Sequence, residues 1–219
     1  MMRGLFISME GSDGSGKTTQ IERLKDYFLN KGYEVIITRE PGGTLISEQI
    51  RNIVLDVKNE VLSDMTETLL YAASRAQHVE EKIKPALESG KIVISDRFVD
   101  SSIVYQGYAR GIGMDIVEAI NSYAVQGFMP DITFFFDIEP ELAMKRKNSQ
   151  KSLDRLEQEH ISFHNKVYEG YKILLKKYPE RIKSINARQS IDNIYEQIIK
   201  EVSSLLKEDA YETHICDHS

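Results

Sequence analysis

The chain has 219 residues, 41% of them apolar and 28% charged, values ordinary for a globular protein long enough to bury a core without staples. Lys and Arg number 28 against 34 Asp and Glu, a formal net charge of −6, which disfavours a protein built mainly to grip nucleic acid. The single cysteine, Cys216, excludes a disulfide framework and a four-cysteine zinc site.

In chain order, an apolar run at 5–9 predicts a first strand, and Ile21, Leu24 and Phe28 predict an amphipathic helix over 17–31, stopped at Gly32. A second strand is expected at 34–38, a helix over 69–87 ending before Gly90, a third strand at 92–95 and a fourth at 132–137. Leu156, His160, Phe163, Val167, Tyr171, Leu174 and Tyr178 recur every three or four residues until Pro179, which predicts a helix over that span. A fifth strand follows at 181–185, and Ser190 caps a last helix bearing Ile191, Ile194, Ile198, Val202 and Leu205. Strand and helix in alternation predict an α/β protein, a parallel sheet with helices on both faces. A single domain is expected to occupy 1–207, and the polar, aperiodic stretch 208–219 is expected to fray as a disordered tail. The amino-terminal residues turn glycine-rich and charged within ten positions and lack a signal-peptide core. No apolar run approaches the ~20 residues of a membrane span. A soluble, reduced, cytoplasmic protein with no membrane or nucleic-acid partner is therefore expected.

Gly11-Ser12-Asp13-Gly14-Ser15-Gly16-Lys17-Thr18 fits G-x-x-x-x-G-K-[ST] between a predicted strand and a predicted helix, the context that confirms such a match. Chance matches in a chain this long arise roughly once in a hundred. Glycines let backbone amides wrap a phosphate, and the helix N-terminus adds positive potential. Lys17 reaches the β- and γ-phosphates and Thr18 offers its hydroxyl to Mg²⁺. The chain lacks the N-K-x-D of a GTPase, since Asn165-Lys166 continues Val-Tyr, and it lacks an L-S-G-G-Q signature. The loop thus identifies a nucleotide but not the reaction.

Ligands of parallel α/β sheets bind beyond the carboxyl ends of the strands. Arg39-Glu40-Pro41-Gly42-Gly43-Thr44 follows the second strand and Asp96-Arg97-Phe98 ends the third, so both point at the crevice of the phosphate loop. Arginines there suit a second phosphorylated molecule, because a guanidinium binds phosphate through a fork. Tyr71 and Arg75 share a helix face at i, i+4, where Tyr71 can stack on a base while Arg75 and Gln106 bond its edge. Taken singly, each has a plainer explanation: a surface ion pair for an arginine, core packing for a tyrosine, a helix cap for Asp96. Their convergence on one crevice favours the ligand site.

With these residues, the sequence resembles the thymidylate kinase family, bacterial branch, from about Gly4 to Leu206. The resemblance rests on 10–19 (Glu10 to Thr19), 38–44 (Thr38 to Thr44), Asp96-Arg97-Phe98, Tyr105-Gln106-Gly107 and Leu153-Asp154-Arg155-Leu156-Glu157. It implies a three-layer P-loop NTPase fold with a five-stranded parallel sheet and a short lid at about 145–155. It further implies a homodimer and the reaction ATP + dTMP → ADP + dTDP with Mg²⁺. On that resemblance Gly11, Ser12, Asp13, Gly14, Ser15, Gly16, Lys17, Thr18 and Thr19 bind ATP. Asp13 contacts the sugar 3′-hydroxyl, and Arg39, Arg51 and Arg97 hold the dTMP phosphate or its surroundings. Glu40 and Pro41 line the dTMP site, Glu40 through the Mg²⁺–water shell, and a cis peptide is implied before Pro41. Tyr71 stacks on thymine, Arg75, Ser102 and Gln106 read its edge, and Tyr105 lies beneath the deoxyribose. Thr18 and Asp96 hold Mg²⁺, partly through water.

The basic run Lys145-Arg146-Lys147-Asn148-Ser149-Gln150-Lys151 follows the fourth strand. A charge run is ordinarily a solvated face, but here it falls where the resemblance puts the lid. Branches with Gly14 in the loop carry a lid arginine, and that position falls near Lys151. This departure leaves Lys151, Arg146 or Arg155 as the cation, so the expected catalytic set is Asp13, Lys17, Arg39, Arg97, Arg146, Lys151 and Arg155. No general base is needed, because a phosphate acceptor is already ionised. The alternatives are another P-loop nucleoside or nucleotide kinase, or a nucleotide-binding module without turnover. His160 and His164 at i, i+4, and the alternating His214, Cys216 and His218, are read as a helix face and a tail rather than metal sites.

Overall fold

The computed structural model describes residues 3–146 and 153–216, with side chains up to 206. In chain order the elements are β1 (Phe6–Glu10), α1 (Lys17–Asn30), β2 (Val35–Arg39), α2 (Leu45–Leu55), α3 (Asp64–His78) and, after a π-helical turn at Val79–Ile83, α4 (Lys84–Glu88). Then come β3 (Ile92–Asp96), α5 (Val99–Ser102) running into a second π-helical segment at Ile103–Ala109, α6 (Met114–Val125) and β4 (Ile132–Asp137). The chain closes with α7 (Pro140–Arg146), α8 (Ile161–Lys177), β5 (Ile182–Asn186) and α9 (Ile191–Cys216).

The five strands form one parallel sheet in the order β2-β3-β1-β4-β5. Alternate side chains feed two cores. Phe6, Val93 and Phe135 pack with Val79, Ile83, Val167 and Tyr171 on one face. Ile7, Met9, Ile94, Phe134 and Phe136 pack with Leu24, Phe28, Ile194 and Ile198 on the other. Helices on both faces explain why the inner strands β1, β3 and β4 are buried almost from end to end, whereas the edge strand β5 buries only Ile182 and Ile185.

Four strands end one residue later than expected, at Glu10, Arg39, Asp96 and Asn186. The ladder is made by backbone groups and extends to polar residues where register allows, as in the pair Arg39↔Asp96. The long helix expected from 69 starts at Asp64 because Ser63 caps it through Thr66 N. The helix expected from 156 starts at Ile161. Asp154 Oδ1 accepts from the amides of Leu156 (3.0 Å) and Glu157 (2.9 Å), which spends 154–157 on a turn. His160 is the N-cap rather than a helical residue. Helix α9 runs past the expected boundary at 207 to Cys216; adding residues to a formed helix costs far less than starting one. Among the described residues no helix is long and apolar enough to cross a membrane, and no group of His, Cys, Asp and Glu is arranged to hold a metal.

Candidate active site

The neighbouring strands β2, β3 and β1 place Arg39, Asp96 and Glu10 at one rim of the sheet. From β1 the chain turns through 11–16 into α1. Gly16, the N-cap, has φ 100°, a left-handed conformation that favours glycine. No side chain among the described residues caps α1, so its first amides remain available to an anion. Lys17 is buried, and its ammonium donates to the carbonyls of Gly11 (2.9 Å) and Ser12 (3.1 Å). Asp13 Oδ1 lies 3.8 Å and Asp96 Oδ1 4.0 Å from that ammonium. Burial, and then the charge of Arg97, push the Lys17 pKa down. Thr18 and Thr19 are exposed on the first turn.

Arg97 crosses from β3 to the loop. Its guanidinium donates to Asp13 Oδ1 at 2.9 Å and Ser101 Oγ at 3.3 Å, and lies 5.4 Å from the Tyr105 ring centroid. Burial alone would raise the Asp13 carboxyl, but the charges of Arg97 and Lys17 hold it well below the usual carboxylate range. Arg97 has φ 71°, a strained conformation for a residue with a Cβ. Glu10 holds that turn in place: wholly buried, it accepts from Phe98 N (2.7 Å), Ser101 Oγ (2.6 Å) and Tyr171 OH (2.7 Å). Burial, then the nearby Asp100 charge, raise the Glu10 pKa.

A cavity of about 480 Å³ opens beside the loop. Asp13, Arg39, Glu40, Pro41, Arg51, Tyr71, Arg75, Arg97, Ser102, Tyr105 and Gln106 all line it, with Ser12 and Asp96 at the loop side. The residues expected at a second phosphate site are thus gathered in one wall. Arg39 forks onto Glu48 at 2.7 and 3.1 Å, and Arg51 donates to Pro41 O at 2.8 Å. Burial, and then the neighbouring Arg39 charge, lower the Arg51 pKa. Cations crowded in this way gain when an anion joins them. Tyr71 is 7% exposed, yet belongs to neither apolar core and faces the cavity, as a stacking role requires.

Arg75 is the largest wholly buried side chain. Its Nε donates to Glu40 Oε2 at 2.8 Å, and one terminal nitrogen donates to Ser102 Oγ at 3.1 Å and Phe98 O at 3.2 Å. Asn121 takes the other terminal nitrogen. Gln106 Nε2 donates to Glu67 Oε1 at 2.8 Å, which turns the rest of the amide to the cavity wall. The π-helical turn at Ile103–Ala109 widens the helix where Tyr105 and Gln106 must face the same space as Ser102. The Glu40–Pro41 bond is cis.

The lid candidates separate. Arg146 donates to Ala187 O at 2.7 Å, and Arg155 donates to Val54 O at 3.0 Å and to Glu67, a carboxylate with no exposure that needs its cations. Neither lines the cavity. Lys151 lies outside the described residues. Sequence reasoning passed over Glu67 and Asn121, which orient Gln106 and Arg75 from behind. Asp154, Glu157 and His164 also line the cavity, although the first two were quoted only as part of a motif and His164 was read only as part of a helix face.

The thymidylate kinase family model matches residues 9–198. A thymidylate kinase from Clostridium novyi (strain NT) is 52% identical over 200 residues, covering 90% of this chain and 98% of the relative. One from Thermoanaerobacter sp. (strain X514) is 53% identical over 205 residues, 94% of this chain and all of the relative. The crystal structure of thymidylate kinase from Ehrlichia chaffeensis superposes with a TM-score of 0.74 at 35% identity, covering 91% of this chain and 99% of that one.

Proposed function

The chain belongs to the thymidylate kinase family, and from that premise we propose that it transfers the γ-phosphoryl group of ATP to dTMP, giving ADP and dTDP. The carrying observation is a nucleotide-sized cavity, walled by Arg39, Arg51, Arg75 and Arg97, that meets the phosphate loop at Asp13. An acceptor that arrives with its own phosphate suits those arginines. A nucleoside would instead need a base to take its hydroxyl proton.

ATP lies with its phosphates in the loop 11–19, and dTMP lies in the cavity. Lys17 leaves the Gly11 and Ser12 carbonyls for the β- and γ-oxygens. Arg97, held between Asp13 and Ser101, spans the gap between the two phosphates and neutralises the charge that crowds there. Tyr71 stacks on thymine, Gln106, Arg75 and Ser102 bound its edge, and Tyr105 closes the sugar side. The acceptor oxygen is ionised at neutral pH, so these residues act by alignment and charge.

The residues present fit Mg²⁺: among the described residues Asp96 Oδ1 is buried without a hydrogen-bond partner, and Thr18 is exposed on the first turn of α1 beside Lys17. Bound by Thr18 and, through water, Asp96, the ion would neutralise charge on the donor phosphates. With Arg146 and Arg155 committed to protein acceptors, we assign the lid cation to Lys151. A homodimer and a cytoplasmic location are part of the same reading. Leu45 and Ile53 of α2, Leu69 of α3, and Ile116 and Tyr123 of α6 leave apolar area exposed on three successively packed helices. Steady-state ADP release with dTMP, dUMP, dCMP, dGMP and thymidine tests the assignment. Turnover of dTMP, with dCMP, dGMP and thymidine inert, is expected, and turnover of thymidine but not dTMP overturns it.

A further inference from the structure

Behind the cavity wall lies a buried imidazole that touches no part of the cavity. His78, the last residue of α3, has no exposure. Its Nδ1 is 2.9 Å from Glu40 Oε1 and its Nε2 is 2.7 Å from Thr38 Oγ1. An ionised Glu40, as its pairing with Arg75 requires, can only accept, so Nδ1 carries the proton. Nε2 meets the Thr38 hydroxyl, which can serve as donor or acceptor. The loop after β2 lies directly on the ring, since a Cβ at Gly43 would stand 2.7 Å from Nε2. Thr38 and His78 are thus bonded to one another, and His78 and Arg75 both donate to Glu40, with every one of the four at most 6% exposed.

We propose that His78 is a positioning residue of the acceptor pocket: it pins Glu40 from behind so that the Glu40–Arg75 pair presents the guanidinium to the bound nucleotide's base. Glu40 has two oxygens and divides them cleanly. Oε1 takes the imidazole, while Oε2 takes Arg75 Nε at 2.8 Å and a terminal nitrogen at 2.7 Å. With Oε1 released, the carboxylate can rotate about its last bond, and the guanidinium loses its fixed partner on the Nε side, leaving Ser102, Phe98 O and Asn121 to hold its terminal nitrogens. The P-loop belongs to the segment from β1 to α1 and shares no hydrogen bond with the ring. The effect is thus confined to the acceptor half. This inference rests on Arg75 meeting the acceptor base, as proposed above.

The test is a pair of substitutions at His78 with a third at Thr38. His78→Leu fills similar space without a donor or acceptor; it is expected to raise KM for dTMP tenfold or more, with KM for ATP within about twofold. His78→Gln carries both a donor and an acceptor and is expected to return KM for dTMP to within about threefold of the parent. Thr38→Val, which removes the hydroxyl at nearly constant volume, is expected to raise KM for dTMP by a smaller factor and leave KM for ATP unchanged. Equal rises of both KM values in folded His78→Leu overturn the proposal, as does an unchanged KM for dTMP. Should His78→Leu not fold, the other two decide: failure of His78→Gln to restore dTMP binding, or no selective effect in Thr38→Val, overturns it. Absence of dTMP turnover in the parent protein would instead overturn the function itself, so the two failures are distinct.

Discussion

Replacing Arg97 by Met separates the chemistry from the fold. The substitution deletes a hydrogen bond between two charged groups, to Asp13 at 2.9 Å, and a long one from the guanidinium to the Ser101 hydroxyl at 3.3 Å, and keeps most of the side chain's length. A hydrogen bond to a charged group contributes about 1.5–3 kcal/mol, and one stretched in this way falls toward about 1. Asp13, however, retains 43% side-chain exposure and the Lys17 ammonium at 3.8 Å. The folding cost therefore falls at the low end, about 1–2 kcal/mol. The turn itself survives, because Glu10 holds it through Phe98 N rather than through Arg97. The catalytic loss is larger: a preorganised cation on a transferring phosphoryl group accounts for ~10²–10³ in rate. Arg97→Lys keeps the charge but loses the fork that reaches Asp13 and Ser101 together, so a drop of about tenfold is expected. Single-turnover phosphoryl transfer at saturating ATP and dTMP, alongside urea unfolding, measures both terms. If Arg97→Met stays folded and turns over within threefold of the parent, Arg97 does not act on the transferring group and the reading of the cleft fails.

Lys17→Ala should lower kcat by ~10²–10³ with an unchanged far-ultraviolet circular dichroism spectrum; near-parental turnover would remove the loop from the reaction. Gln106→Leu should raise KM for dTMP about tenfold and spare ATP. Glu67 keeps Arg110 and Arg155 as partners, so the protein should stay folded; equal losses for both nucleotides would contradict a base-reading role. Asp13 titrates well below its unfolded value of about 3.9. Its stabilising share is therefore complete above about pH 4 and declines as acid protonates the unfolded chain first. The stability gap between the parent and Asp13→Asn should shrink from pH 6 to pH 3 in urea titrations, and a gap that widens on acidification would reverse the assigned shift.

Much of this architecture is local in origin and therefore legible along the chain. Apolar runs mark strands wherever both sheet faces are covered, and the phosphate loop is a contiguous segment whose glycines, lysine and threonine each answer a local demand. The clustering of Arg39 and Arg97 also follows, because strand ends of a parallel sheet share one rim. What the linear order could not carry is which side chain faces which. Arg146, in a basic run, and Arg155, just beyond it, both read as lid cations, yet one is drawn to Ala187 O and the other to Glu67, 88 residues away in the chain. Leu156 and His160 keep a helical spacing, but Asp154 takes their segment into a turn. Glu67, Asn121 and His78 bear no motif of their own. They matter because buried polar groups must find partners, and only the packing of α3 against α6, the π-helical segment at Ile103–Ala109 and the loop after β2 decides that those partners are Gln106, Arg75 and Glu40.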